Sequence, residues 1–283
     1  MRLRSVLGRG RRLCRSGWRL IRTAWYQHRF AGIRRGTRDR CWCGGPLLPF
    51  QLHASYGVCA DCGTYVNRVP PVRDELARLY TLGLYWHARQ RLKGHPAIEL
   101  RANNDRSDGR VGYWLELIER YAPHSVTALE VGCGSGVLLA ELAARGYRCA
   151  GVEPDPRVAA WVAHHTGQEV RAGFFPDVDV PTENDLFLAF DVLEHSPDPC
   201  AFLRGAAAVL RPGGVAILQT PIDRGELDPP FGQSFRAVFD DLEHLFVLGG
   251  RAPDALTARS GLTVVSAGEA WRVGHEVLVL SKP

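Results

Sequence analysis

The chain has 283 residues, 46% hydrophobic and 23% charged, the balance of a globular protein long enough for one large domain and a small appendage. It contains no run of eighteen apolar residues, which excludes a spanning helix, and its basic N-terminus lacks the apolar core of a secretory signal, so a cytoplasmic location is expected. The net charge of +5 is uneven: residues 1–40 carry 13 Arg against one acid, Asp39, while the rest has 22 basic and 29 acidic residues, so the body lacks the basic surface of a nucleic-acid binder.

Residues 1–40 form an Arg-rich arm in which Cys14, Trp18, Ile21 and Trp25 share a helical stripe beside Arg15, Arg19 and Arg22. The bland reading is an unstructured extension. Of the active ones, a helix lying on an anionic membrane, peripheral to its inner face, ranks before contact with RNA phosphates.

Residues 41–68 hold "CWCGG" and "CADCG", a C-x-C-x15-C-x2-C spacing with glycine after each pair. Thiolates of Cys41, Cys43, Cys59 and Cys62 suit one tetrahedral structural Zn2+, without which so short a segment could hardly fold. Free thiols or a redox pair are the alternatives. Residues 69–110 read as a helical connector, with "RDELARLYTLGLYW" helical and "RANNDRSDGR" a polar loop.

From residue 111 to 283 strand and helix patterns alternate. The strands are "VTALEV", "RCAGVE", "EVRAG", "DLFLAF", "VAILQT", "TVVSAG" and "EVLVLS"; the helices include "YWLELIERY", "VLLAELAARG", "PRVAAWVAHHTG", "PCAFLRGAAAVL" and "APDALTARS", with "RPGG" as a turn. Near-continuous apolar strands between helices predict an α/β fold with a parallel sheet covered on both faces.

Ligands of such sheets sit beyond the carboxyl ends of the strands, and the first strand-to-helix turn, "EVGCGSG", holds Gly132, Gly134 and Gly136. A pyrophosphate site would want G-x-G-x-x-G, but position 137 is Val, and Glu130 just before the glycines would repel phosphate while suiting a cationic ligand. Glu153, ending the next strand, suits two ribose hydroxyls. Together they indicate an adenosine ligand that has a ribose and no pyrophosphate.

"LEVGCGSG", "GVEPD", "DLFLAFDVLEHSPDP" and "LRPGGVAILQTP", in order, resemble the motifs of class I S-adenosylmethionine-dependent methyltransferases over residues 110–283. The resemblance implies a Rossmann-like, doubly wound, mostly parallel seven-stranded sheet closed by an antiparallel strand, with S-adenosyl-L-methionine as cofactor. It puts Glu130, Gly132 and Gly134 at the methionine end, with Cys133 and Gly136 also among the cofactor-binding residues, Glu153 on the ribose, Gly173 and Phe174 near the adenine, and Phe190 and Asp191 closing the pocket at the end of strand four. The cysteine segment resembles zinc-ribbon modules that precede bacterial methyltransferases acting on sugars or natural-product scaffolds.

"DVLEH" brings Asp191, Glu194 and His195 together just past strand four, resembling the segment of ubiquinone-type O-methyltransferases and small-RNA 3′-end methyltransferases that holds a divalent cation. Three readings stand: loop bracing, His195 as general base, or a catalytic divalent cation to which His244 adds a ligand. Phe231, Phe235 and Phe239 wall an acceptor pocket or fill the core. The leading expectation is O-methylation of a sugar, glycan or small-molecule hydroxyl. An RNA or protein methyltransferase anchored by the arm and a non-catalytic cofactor-binding protein are the alternatives.

Overall fold

The first elements of the computed structural model, which describes Phe30, residues 32–224 and residues 233–283 (side chains of 233, 234 and 237 excepted), are three short antiparallel strands. These are β1 (Leu47–Pro49), β2 (Tyr56–Cys59) and β3 (Tyr65–Asn67), which carry the cysteine segment. Helix α1 (Arg73–Leu79) follows. A π-helical segment, Leu82–Arg89, then runs into the short turn Gln90–Leu92.

The "RANNDRSDGR" stretch is not a loop. It lies largely in α2 (Ile98–Ser107), held by the Arg101–Asp105 ion pair one turn apart and by buried Ile98. A left-handed Gly109 then turns the chain into α3 (Arg110–Tyr121).

The α/β part supplies β4 (Thr127–Val131), α4 (Val137–Ala144), β5 (Arg148–Glu153), α5 (Pro156–Thr166), β6 (Glu169–Ala172), β7 (Asn184–Phe190), α6 (Pro199–Val209), β8 (Leu210–Asp223), α7 (Gln233–Val238), β9 (Phe246–Gly249), α8 (Ala252–Thr257), β10 (Thr263–Glu269) and β11 (His275–Ser281). Strands β8, β7, β4, β5 and β6 run parallel in that spatial order, and β11 joins the outer side of β8 antiparallel, with β10 beyond it. The parallel strands are buried on both faces. Along β7, Phe187 and Ala189 enter one core with Phe202 and Leu203 of α6, while Leu186 and Leu188 enter another with Leu138 of α4 and Leu117 of α3. Each such Leu, taken from water, contributes about 1.5–3 kcal/mol.

Two expectations about the sheet change. "RPGG" is the opening of β8 rather than a separate turn, since Gly213 donates to the Lys282 carbonyl at 2.9 Å and Lys282 to that of Gly214 at 3.0 Å. Among the described residues the sheet also counts eleven strands, four beyond the seven expected. Its far end continues through β9, parallel to the end of β8, and then through β3, β2 and β1, so the cysteine segment extends the main sheet.

The end of the Arg-rich arm is tied down as well. Gly36 donates to the Pro70 carbonyl at 2.8 Å and Arg38 to that of Arg68 at 2.8 Å, while Arg34 pairs with Glu75 and Arg35 with Asp241. The tryptophan stripe of residues 18–25 and Phe231 lie outside the described residues.

The join between β9 and the cysteine segment is tight: a Cβ on Gly249 would overlap the Gly63 carbonyl. Backbone cannot swing aside as a side-chain tip can. Gly249→Ala is therefore expected to destabilise the chain by about 1–3 kcal/mol. Denaturant unfolding checks this, and an unchanged midpoint would mean that the two backbones do not pack this closely.

Candidate active site

A cavity of about 440 Å3 opens at the carboxyl ends of the parallel strands. Its floor is the turn between β4 and α4. Gly132 and Gly134 both hold left-handed φ, and each is also short of space: a Cβ would come within 2.5 Å of Val192 or 3.1 Å of Trp86. The amides of Gly132 and Cys133 donate to the Val152 carbonyl, fixing the turn against β5. Gly136 does another job. It faces away from the cavity, where a Cβ would strike Val162, so it lets α4 pack on α5. The Cys133 side chain packs with Leu139, Val158 and Val162.

Glu130 and Glu153 face this floor from the ends of β4 and β5. Both are buried, and Glu130 Oε2 has no hydrogen-bond partner. Burial, with repulsion from Glu153, pushes the Glu130 carboxyl up to about 8. Burial pushes Glu153 up to about 8 too, against the pull of the Gly134 amide, which donates to its Oε2 at 3.2 Å. Gly173 and Phe174 line the next wall, and Phe190 stacks on Trp114 at 4.6 Å.

Past β7 the chain bends sharply. Asp191 adopts φ 57, a conformation costly for a residue with a Cβ. Its Oδ1 accepts from Gln219 Nε2 at 2.8 Å, and Arg272 lies 3.5 Å from its Oδ2. Burial works to raise the Asp191 carboxyl, but the charges of His275 and Arg272 and the Gln219 bond outweigh it and hold it below the usual range.

Glu194 and His195 sit in the short 3-10 turn that follows. Glu194 is fully buried. Its Oε2 accepts from Thr220 at 3.0 Å, its Oε1 has no partner, and burial keeps the carboxyl well above its ordinary value. His195 Nδ1 lies 2.9 Å from the Glu243 carbonyl oxygen and 2.9 Å from the Tyr80 hydroxyl. A carbonyl only accepts, so Nδ1 carries the proton and Nε2 the lone pair. Burial lowers the His195 pKa, which keeps the ring neutral.

His244 comes to the same place, its ring centroid 5.0 Å from that of His195 and its Nδ1 2.6 Å from the Val238 carbonyl oxygen. Ligand atoms of Glu194, His195 and His244 all lie within 4.8 Å of one another. A second cluster of Asp191, Glu194 and His275 shares Glu194, but there Arg272 already faces Asp191. Of the expected trio, Glu194 is thus shared between two clusters: Asp191 meets it beside His275, Gln219 and Arg272, and His195 meets it beside His244, the added ligand that was expected.

Sequence reading missed the roof. Tyr80, Trp86 and Lys93 line the cavity from the connector, and buried Arg89 pairs with Asp240 and Glu243. Their partners lie far along the chain, so no local pattern marks them; the aromatic run "LYTLGLYW" was the one available signal.

At the far edge, Cys41 and Cys62 bring their sulfurs to 3.6 Å, Cys43 and Cys59 to 3.4 Å, and all four lie within 4.8 Å of one another. A Cβ on Gly45 would come within 2.7 Å of Cys59 Sγ, so that glycine is required by the cluster.

The profile of the methyltransferase domain family matches residues 85–267. An uncharacterized methyltransferase of Mycobacterium sp. (strain JLS) is 37% identical over 145 residues, 49% of this chain and 52% of that protein. A ubiquinone biosynthesis O-methyltransferase of Bradyrhizobium sp. (strain ORS 278) is 35% identical over 97 residues, 32% of this chain and 38% of that protein. The chain thus aligns with about half the length, or less, of these curated relatives. Among solved structures, the mitomycin 7-O-methyltransferase MmcR shares the fold at TM-score 0.56 and 18% identity, over 74% of this chain and 60% of that one. N-methyltransferase NodS from Bradyrhizobium japonicum WM9, solved with S-adenosyl-L-homocysteine, does so at TM-score 0.51 and 17% identity, over 74% of this chain and 97% of that one. With its glycine turn, paired carboxylates and strand order, the chain belongs to the methyltransferase domain family.

Proposed function

We propose that this protein transfers a methyl group from S-adenosylmethionine to a hydroxyl oxygen of a sugar, glycan or other small molecule. One observation carries the reading. Two buried carboxylates, Glu130 and Glu153, flank a glycine floor, and a neutral histidine with a free Nε2 lines the same cavity. When bound, S-adenosylmethionine supplies an already activated methyl group, so the protein's task is alignment and proton removal. Glu153 would accept from the ribose hydroxyls, Glu130 would serve the cationic methionine end, and Gly173 and Phe174 would serve the base. His195 Nε2 takes the acceptor's proton as the oxygen gains the methyl group.

A divalent cation is a second reading, favoured by the geometry of Glu194, His195 and His244. Both histidines give Nδ1 to backbone carbonyls, which leaves each Nε2 free beside the partnerless Glu194 Oε1. A cation held there would lower the pKa of the acceptor hydroxyl. The four cysteines support a structural zinc: bonds of about 2.3 Å in a tetrahedron put sulfurs about 3.8 Å apart, close to the observed spacings.

Calorimetry with S-adenosylmethionine tests the pocket. The raised carboxyls of Glu130 and Glu153 must lose protons to receive a cationic, hydroxyl-donating ligand, so affinity should rise from pH 6 to about 8 and then level off. Glu153→Gln should weaken binding by about 10- to 100-fold. Absence of binding would sink the reading.

In turnover screens against nucleotide sugars, phenols and RNA, His195→Ala should cost about a hundredfold or more in kcat with cofactor affinity retained. Loss of activity on chelation, restored by Mg2+ or Mn2+, selects the cation; indifference to chelator selects the base; transfer to RNA alone would overturn the small-molecule assignment. Elemental analysis should find one zinc per chain in the wild type and none in Cys59→Ser, which should also be less stable by several kcal/mol, or about 2–5.

A further inference from the structure

Between the roof of the cavity and the segment that bears His244 lies a largely buried network of two cations and two anions. Arg89 leaves the end of the π-helical segment, Nη2 2.6 Å from Asp240 Oδ1, with Nε on Glu243. Lys93 Nζ completes the square, 2.9 Å from Asp240 Oδ2 and 2.8 Å from Glu243 Oε2. The Glu243 side chain is 3% exposed, those of Arg89 and Asp240 are 14% and 13% exposed, and Lys93 at 34% is the open corner.

Such a network is an expensive way to hold two segments together, because each charge gives up its hydration and apolar packing of equal volume would hold as well. What it adds is a fixed position. The residue it grips from two sides is Glu243, whose carbonyl oxygen receives His195 Nδ1–H. The same stretch of roof supplies Tyr80, whose hydroxyl lies on the other side of that nitrogen at 2.9 Å.

We infer that Arg89 and Lys93 are positioning residues for His195. By clamping Glu243 they hold its carbonyl against Nδ1 and thereby keep the lone pair on Nε2, turned toward Glu194 Oε1 at 3.9 Å. The inference rests on the reading of His195 as a functional histidine, and it extends that reading to the connector. The grip is mechanical: two cationic side chains 150 or more residues from Glu243 in sequence hold that residue, and through it set the tautomer of an imidazole that they do not touch.

The test needs no acceptor. Long-range 1H–15N spectra of histidine-labelled protein at pH 7.5, with His195→Asn used for assignment, should show one protonated and one lone-pair nitrogen for His195, with the proton on Nδ1. Arg89→Met with Lys93→Met should collapse these into an averaged pair in protein that still binds S-adenosyl-L-homocysteine. Arg89→Lys should keep the wild-type pattern. If the double variant fails to fold, Lys93→Met alone, which removes the more exposed cation, should show partial averaging. An unaltered tautomer in variants that still bind S-adenosyl-L-homocysteine would overturn the inference. Failure of the functional reading looks different: turnover would be unaffected by His195→Ala whatever the spectra show.

Discussion

The structure turns on the burial of Glu130 and Glu153 at neighbouring strand ends with too few partners between them. Two carboxyls pushed up to about 8 in one pocket are a cost to the empty protein, since each prefers water or an opposite charge. The fold does not relieve that cost: it gives Glu153 the amide of Gly134 and leaves Glu130 Oε2 bare. A ligand with hydroxyl donors and a positive charge removes the penalty on both at once. Loss of stability is thereby stored where binding can recover it, and a dinucleotide phosphate would make matters worse.

That arrangement was legible in the sequence because its causes are local. A turn leaving β4 for α4 with left-handed backbone at positions 132 and 134 requires glycine there, and the acids lie at fixed offsets on the same two strands. Gly136 sounds a warning within the same motif. It has the same backbone conformation, yet the neighbour that forbids a side chain is Val162 of α5, so its glycine serves packing. A run of glycines marks a tight corner without saying which of them meets a ligand.

The roof was not legible, and for physical reasons. The sequence of α2 has no apolar stripe: it is a helix because Arg101 and Asp105 pair along it and Ile98 is buried beneath it. The π-helical segment places Trp86 over Gly134 and Arg89 toward Asp240, contacts that exist only once the sheet has formed. His275 shows the same limit, since its neighbour Asp191 is brought close by the pairing of β11 with β8. Pairwise partners across such distances leave no period or spacing to read.

The cysteine segment follows from the same reasoning about edges. A strand at the end of a sheet leaves a row of unpaired amides and carbonyls, and this sheet does not stop at β8 on that side. The last two residues of β8, Ile222 and Asp223, pair with β9, which pairs with β3, and the cysteine hairpins finish the row. Tyr65 on β3 reaches Asp223 at the end of β8 at 2.6 Å, and Asn67 reaches the Asp241 carbonyl at 2.8 Å. Residues 240–244 therefore stand between two supports, the cysteine-bearing strands on one side and the Arg89–Lys93 pair on the other. The loop that presents Glu243 and His244 to the cavity is thus fixed by β2, β3 and the Arg89–Lys93 segment, which makes these parts of the chain part of the candidate site's construction.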